Sequence, residues 1–97
     1  MNKKTTSIIL FNQSQVRRHW DEDREEWYFS IIDVISVLTD STIPKRYWAD
    51  LKKKLKQEGS EVYDKIVRLK LKAPDGKMRM TDVASTAQLL RLIQSIP

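Results

Sequence analysis

The stretch Trp48-Ala-Asp-Leu-Lys-Lys-Lys-Leu-Lys56 decides the fold prediction, together with the unit Leu71-Lys-Ala-Pro-Asp-Gly-Lys-Met-Arg-Met-Thr-Asp82. At about 100° per residue, the first stretch predicts a helix with one apolar stripe and a cationic back. The second predicts a β-hairpin, because alternating residues flank the strong turn signal Ala73-Pro-Asp-Gly76. Both elements carry many basic side chains, so we expect one small domain with a basic face.

The helix that contains the first stretch is predicted to run from Pro44 to about Glu58, with Gly59 as its C-terminal cap. Its apolar stripe consists of Tyr47, Trp48, Leu51 and Leu55. The opposite arc carries five cations, which are Lys45, Arg46, Lys52, Lys53 and Lys56. These cations form either an ordinary solvated face or a surface that neutralises phosphates.

The hairpin is expected to pair Val67–Lys72 with Lys77–Met80, which would give a second basic strip of Lys70, Lys72, Lys77 and Arg79, with Arg68 close by. Thr81 is predicted to cap a last helix, with Asp82 in its first turn and Val83 and Ala84 on its buried side. A two-stranded basic ribbon can enter a groove of DNA, which favours nucleic-acid binding.

The N-terminal half predicts three strand-like runs and a helix. Residues 1–7 are expected to be loose, Ile8–Phe11 a buried strand, and 15–20 and 27–29 two further strands around the acidic turn Asp21–Glu26. Ser30 is predicted to cap a helix over 30–39, with Asp33 completing a capping box. The resulting order, β-β-β-α-α-β-β-α, indicates an α+β domain with antiparallel pairing over residues 8–97.

Composition limits the classes of function. The chain has 97 residues, a formal net charge of +5, one histidine and no cysteine. These counts exclude disulfides, thiolate metal sites and a histidine triad. We therefore expect no enzyme activity, no metal and no cofactor. The apolar run after the N-terminus is too short for a membrane span, so we expect a cytoplasmic protein without a membrane partner.

The three tryptophans offer a choice between base stacking and core packing. Trp48 shares its helix face with Leu51 and Leu55, and Trp27 is followed by Tyr28 and Phe29, so both are predicted to lie in the core. Trp20, next to the acidic turn, is not assigned to either.

Taken in order, several motifs resemble the N-terminal domain of the BRO family, found in phage and prophage antirepressors and in BRO proteins of large viruses. They are Val16-Arg17, Trp27-Tyr-Phe29, Asp33-Val34, Trp48-x-x-Leu-Lys-x-Lys-Leu55, Asp75-Gly-Lys-x-Arg-x-Thr-Asp-Val83 and Leu90-Arg-Leu-Ile-Gln-Ser-Ile-Pro97. The resemblance covers nearly all of residues 8–97. It implies a prophage origin and a DNA-binding module at the N-terminus of a longer, two-part transcription regulator.

The leading hypothesis is therefore a double-stranded DNA-binding domain of a prophage antirepressor. Its expected DNA contacts are Arg17, Lys45, Arg46, Lys52, Lys53, Lys56, Lys70, Lys72, Lys77 and Arg79. Lysine-rich contacts favour attraction to the backbone over base reading. The alternative is a protein-interaction module that sequesters a phage repressor, and the salt dependence of binding would distinguish the two.

Overall fold

The computed structural model describes residues 16–96, which form an α+β domain around one antiparallel sheet. The strands are β1 (Arg18–Asp21), β2 (Glu26–Ser30), β3 (Val67–Lys72) and β4 (Met78–Ser85). The helices are α1 (Ile31–Thr39), α2 (Pro44–Gln57), the single turn α3 (Glu61–Asp64) and α4 (Thr86–Gln94). The α+β prediction is confirmed, but the order differs in that the turn α3, which was not predicted, stands between α2 and β3. The strand predicted at Ile8–Phe11 and the loose segment 1–7 lie outside the described residues.

Two hairpins join through their long strands to give the sheet order β1-β2-β4-β3, with every pair antiparallel. The β1–β2 hairpin turns through the acidic segment, where Asp21 Oδ1 accepts hydrogen bonds from the backbone N–H groups of Asp23 and Arg24. The β3–β4 hairpin turns at Pro74–Gly76, and Gly76 has the positive φ of 84° that this turn requires. Both predicted hairpin turns are confirmed.

The main core lies between the helices and one face of the sheet. Phe29 and Ala84, paired across β2 and β4, contribute that face. The helices contribute Ile31, Val34, Ile35, Trp48, Leu51, Leu55, Leu89 and Leu92. A smaller apolar cluster of Tyr28, Leu71 and Val83, with Val67 and Leu69 against it, lies on the other face. Strand β4 contributes Ala84 to one cluster and Val83 to the other, as expected for an interior strand of the sheet with apolar groups on both faces.

Helix α2 has the ends and the buried stripe that its sequence predicts. Trp48, Leu51 and Leu55 are buried, and Tyr47 packs against the same core. At its C-terminus Gly59 N–H donates to Lys56 O at 3.1 Å and Ser60 N–H donates to Leu55 O at 3.0 Å. With Gly59 at φ 67°, these bonds form a Schellman motif, which satisfies carbonyls that the helix leaves unpaired.

The predicted start of the last helix is wrong. Strand β4 continues through Thr81, Asp82, Val83 and Ala84, and α4 begins only at Thr86. Ser85 is the N-cap, and its Oγ accepts from the backbone N–H of Gln88 at 3.5 Å. The β-branched residues of this segment favour a strand, and pairing with both β2 and β3 outweighs the capping signal of Thr81.

Two further predictions near β2 are wrong. Trp27 is 41% exposed and not in the core, because β2 pairs with β4 only from Tyr28 onward. Its ring instead meets Trp20 edge-on, with centroids 5.2 Å apart. Asp33 makes no capping box with Ser30, because its carboxylate binds Arg17.

Candidate nucleic-acid interface

A groove lies between α2 and the β3–β4 hairpin. It has a volume of about 270 Å³, and its lining includes Lys45, Trp48, Ala49, Lys52, Met80 and Asp82. The curl of the sheet brings the hairpin turn toward the start of α2, so the two basic elements predicted from sequence are neighbours in space.

Asp82 joins the two sides of this groove. Its Oδ2 accepts hydrogen bonds from Trp48 Nε1 and from Lys52 Nζ, each at 2.8 Å, and its Oδ1 lies 3.5 Å from Arg68 Nε. The Asp82 side chain is only 12% exposed. Burial alone would raise the pKa of Asp82, but the hydrogen bonds from Lys52 and Trp48 outweigh it and lower the pKa, so the carboxylate stays charged.

Sequence reasoning missed the role of Asp82 because it placed this residue in a helix. The alternation of β4 would have revealed it, since Arg68 and Asp82 are register partners and point to the same side of the sheet. Lys52, predicted to be a free cation on the outer arc, is instead half-buried and also lies over the Trp48 ring, 5.7 Å from its centroid.

The cations of α2 divide by helical position. Lys45, Lys52 and Lys56 share the flank of α2 next to the groove, and we call this set the α2 flank. Lys53 and Arg46 point further outward. Arg46 forms an exposed ion pair with Asp50 at 3.5 Å, one turn along the helix. Such exposed pairs add about 1 kcal/mol or less, so the guanidinium remains accessible.

The hairpin cations divide between the two faces of the sheet. Lys70 pairs across the hairpin with Met80, and Lys72 with Met78, which places these four side chains on the face that Arg68 and Asp82 share. Arg79 is opposite Leu71 and so alternates to the other face, where it forms an ion pair with Asp75. Hydrogen bonds from Arg79 and from the Lys77 backbone lower the pKa of Asp75, and nearby Lys45 adds a small effect.

Arg17, which was predicted to contact DNA, is instead held by hydrogen bonds within the fold. Its backbone N–H and its guanidinium bind Asp33, with Nε at 2.8 Å from Oδ2 and Nη2 at 3.1 Å from Oδ1. Nη1 also donates to Lys72 O at 3.0 Å, and Nη2 to Ser30 Oγ at 3.3 Å. Arg17 thus ties the start of β1 to α1 and to the end of β3, and most of its donors are already used.

The remaining predicted contacts are six exposed lysines. Within residues 16–96 none of these six has a carboxylate partner at ion-pair distance. They are Lys45, Lys53, Lys56, Lys70, Lys72 and Lys77. Four of them, Lys45, Lys56, Lys70 and Lys72, lie on the α2 flank or on the groove-side face of the hairpin. Because no carboxylate of residues 16–96 neutralises these four ammonium groups, they can attract an anion to the groove.

Other kinds of site find little support in the described part of the chain. Residues 16–96 contain no group of three or more histidine, cysteine or carboxylate side chains that could hold a metal ion. None of the helices in this range is long and apolar enough to cross a membrane.

Comparisons with known proteins give no further information. No protein-family model, curated protein or solved structure matches the chain.

Proposed function

We propose that this domain binds double-stranded DNA, as the DNA-binding part of an antirepressor-type transcription regulator of the BRO kind that acts in the cytoplasm. The observation that supports the proposal is a set of six exposed lysines on α2 and the β3–β4 hairpin, none of which forms an ion pair with a carboxylate of residues 16–96. Lysine clusters that neutralise phosphates release counterions, and this release drives sequence-independent binding to DNA.

The spacing of the α2 flank suits a nucleic-acid backbone. Lys45 and Lys56 are eleven residues apart, which is about 16 Å along the helix axis. That length corresponds to about five base-pair steps of duplex. The helix can therefore lie against one strand and contact more than one phosphate, while the hairpin on the other side of the groove contacts a neighbouring part of the same duplex.

The chemistry of the groove favours binding over catalysis. Its carboxylate, Asp82, is held by Trp48, Lys52 and Arg68, and its lowered pKa makes it a weak base. We therefore propose a binding protein that is not an enzyme.

The test compares two lysines in the last turn of α2. Lys56 lies on the α2 flank, whereas Lys54 lies on the other side of the helix, beside Tyr47, Leu51 and Ser95. Both are exposed, and replacing either with glutamine removes the same single charge. The variants Lys56→Gln and Lys54→Gln therefore differ only in the direction of the lost charge.

Duplex affinity is measured by fluorescence anisotropy over a range of salt concentrations. We expect Lys56→Gln to weaken binding to all sequences alike and to make the slope of log K against log salt shallower by about 0.9, the value for one lost phosphate contact. Lys54→Gln should keep the parental slope. Equal slopes for both variants and the parent would overturn the assignment of the α2 flank, and a parent that binds no duplex would overturn the proposed function.

A protein partner is the second candidate, and the β1–β2 hairpin supports it. Trp20 and Trp27 are both large, exposed aromatic side chains, and five acidic residues occupy the adjoining segment 21–26. An acidic and aromatic surface would suit a basic segment of a repressor. Binding through this surface should be lost in Trp20→Ala/Trp27→Ala while duplex affinity is retained.

A further inference from the structure

The outer part of the β3–β4 hairpin exposes two methionines between two lysines. Met78 and Met80 are 59% and 49% exposed, and their register partners Lys72 and Lys70 are exposed as well. We call these four residues the ribbon face. It is a surface with two neighbouring cross-strand pairs, each made of one thioether and one ammonium group.

The two methionines lie on the face of the sheet that also carries the main core, but near the hairpin turn. On the opposite face of the same hairpin Leu71 and Val83 are buried, with Val67 and Leu69 packed beside them. Alternation along β4 places Met78 and Met80 on the same face as Asp82 and Ala84. This face is buried at Ala84 and becomes exposed at Met80 and Met78, toward the hairpin turn. Adjacent exposed apolar side chains often mark an interaction site. Because lysines surround these two methionines, the surface suits a partner that combines negative charge with apolar groups.

We propose that the ribbon face enters the major groove of DNA, where Met78 and Met80 contact the C5-methyl groups of thymines and Lys70 and Lys72 contact flanking phosphates. This inference rests on the proposed function. An A·T base pair presents one apolar group, the thymine C5-methyl, in the major groove, and a G·C pair presents none. The major groove has thymine methyl groups at its floor and phosphates along both edges. The methionines of the ribbon face match the former and its lysines match the latter.

The dimensions favour the major groove over the minor groove. Neighbouring strands lie about 4.8 Å apart, so a two-stranded ribbon with its side chains fits a groove about 12 Å wide. The minor groove, about 6 Å wide, would have to open, and side chains inserted between base steps unstack them at a cost of a few kcal/mol. The major groove needs neither deformation.

The position of the α2 flank agrees with a duplex bound at the ribbon face. Lys45 is close enough to Asp75, in the hairpin turn, to contribute to the lowering of the pKa of Asp75. The start of α2 therefore lies beside the tip of the ribbon. A duplex that receives the ribbon face would have its backbone within reach of Lys45.

The test removes methyl groups from the DNA without any other change. Two duplexes of about 20 base pairs are compared, one with thymine and one with deoxyuridine at every thymine position. Burial of one methyl-sized group changes affinity about fourfold, so the parent protein should bind the deoxyuridine duplex more weakly by about fourfold for each methyl group contacted. The double variant Met78→Ala/Met80→Ala should bind both duplexes equally.

A matched control is Ile43→Ala. Ile43 is another exposed apolar residue, and it precedes α2 outside the ribbon face. This variant should keep the parental preference for thymine. Because the replaced side chains are exposed, all variants should remain folded, which thermal melts verify.

The outcomes separate this inference from the proposed function. If the parent binds neither duplex, the proposed function fails. If the parent binds with a steep salt dependence but does not distinguish thymine from deoxyuridine, DNA binding stands and the major-groove contact is refuted. If 2-aminopurine placed in the duplex brightens on binding, the methionines unstack bases from the minor groove, and the inference is also overturned.

Discussion

Replacing Asp82 tests whether a single carboxylate fixes the position of α2 against the β3–β4 hairpin. In Asp82→Ala the buried indole N–H of Trp48 loses its acceptor, which costs about 1–3 kcal/mol for an unsatisfied donor. The ion pair with half-exposed Lys52 adds about 1 kcal/mol or less. We therefore expect Asp82→Ala to lower the free energy of unfolding by about 1–4 kcal/mol.

Asp82→Asn is the matched control, because its amide oxygen still accepts from Trp48 while the charge is removed. It should cost about half as much as the alanine variant, since the Trp48 hydrogen bond is kept. Urea denaturation followed by tryptophan fluorescence measures both free energies. An alanine variant as stable as the parent would refute the role of Asp82 as the link between α2 and the hairpin.

The pH dependence gives a second, independent readout on the same variants. The folded state lowers the pKa of Asp82, so the stabilisation is complete above the unfolded pKa of about 3.9 and is lost as the pH falls through the folded value. The difference in unfolding free energy between the parent and Asp82→Asn should therefore be full at about pH 6 and shrink below about pH 4. A difference that stays constant over this range would show that the charge of Asp82 contributes nothing.

Two further predictions concern backbone conformation and aromatic packing. Gly59→Ala should lower stability by about 1–2 kcal/mol, because a Cβ at φ 67° is strained even though no atom lies within 4 Å of it; equal thermal melts for variant and parent would contradict this. Trp48→Ala should cost about 3–5 kcal/mol as a core truncation, whereas Trp27→Ala should cost about 1 kcal/mol or less; similar losses in urea melts would contradict the burial that separates the two rings.

Local signals in the sequence predicted the elements whose ends depend on nearby residues. Gly59 ends α2 because few other residues tolerate its positive φ, and Pro74–Gly76 closes the hairpin for the same kind of reason. The predictions failed where distant pairing decides. Thr81 and Asp82 carry a capping signal, but β2 and β3 hold them in a strand, and Asp33 binds Arg17, 16 positions away along the chain.

The candidate site shows the same division. The sequence predicted which residues are basic and which helix face they occupy, and the exposure of Lys45, Lys53 and Lys56 agrees with that periodicity. It could not predict that Lys52 is bound by Asp82 or that Arg79 is on the opposite sheet face from Lys70. The face of Arg79 follows from the alternation of β4 once the register of the hairpin is known. The contact of Lys52 with Asp82 depends on how the hairpin packs against α2, and no local pattern encodes that.

The choice between arginine and lysine on this domain carries a consequence for DNA recognition. The arginines at 17, 46, 68, 79 and 91 form ion pairs, Arg24 binds the Tyr28 hydroxyl, and Arg18 lies over the ring of Trp27. The cations left without such partners in the candidate interface are lysines.

Lysine is a compact point charge, whereas the planar arginine fork is the side chain that most often reads guanine edges in a bidentate manner. On the proposed function, the lysines would supply affinity and salt dependence. Preference among sequences would then come from two other sources, which are Arg46, whose exposed ion pair leaves its guanidinium accessible, and the exposed apolar groups of Met78 and Met80, which are placed to detect thymine methyl groups.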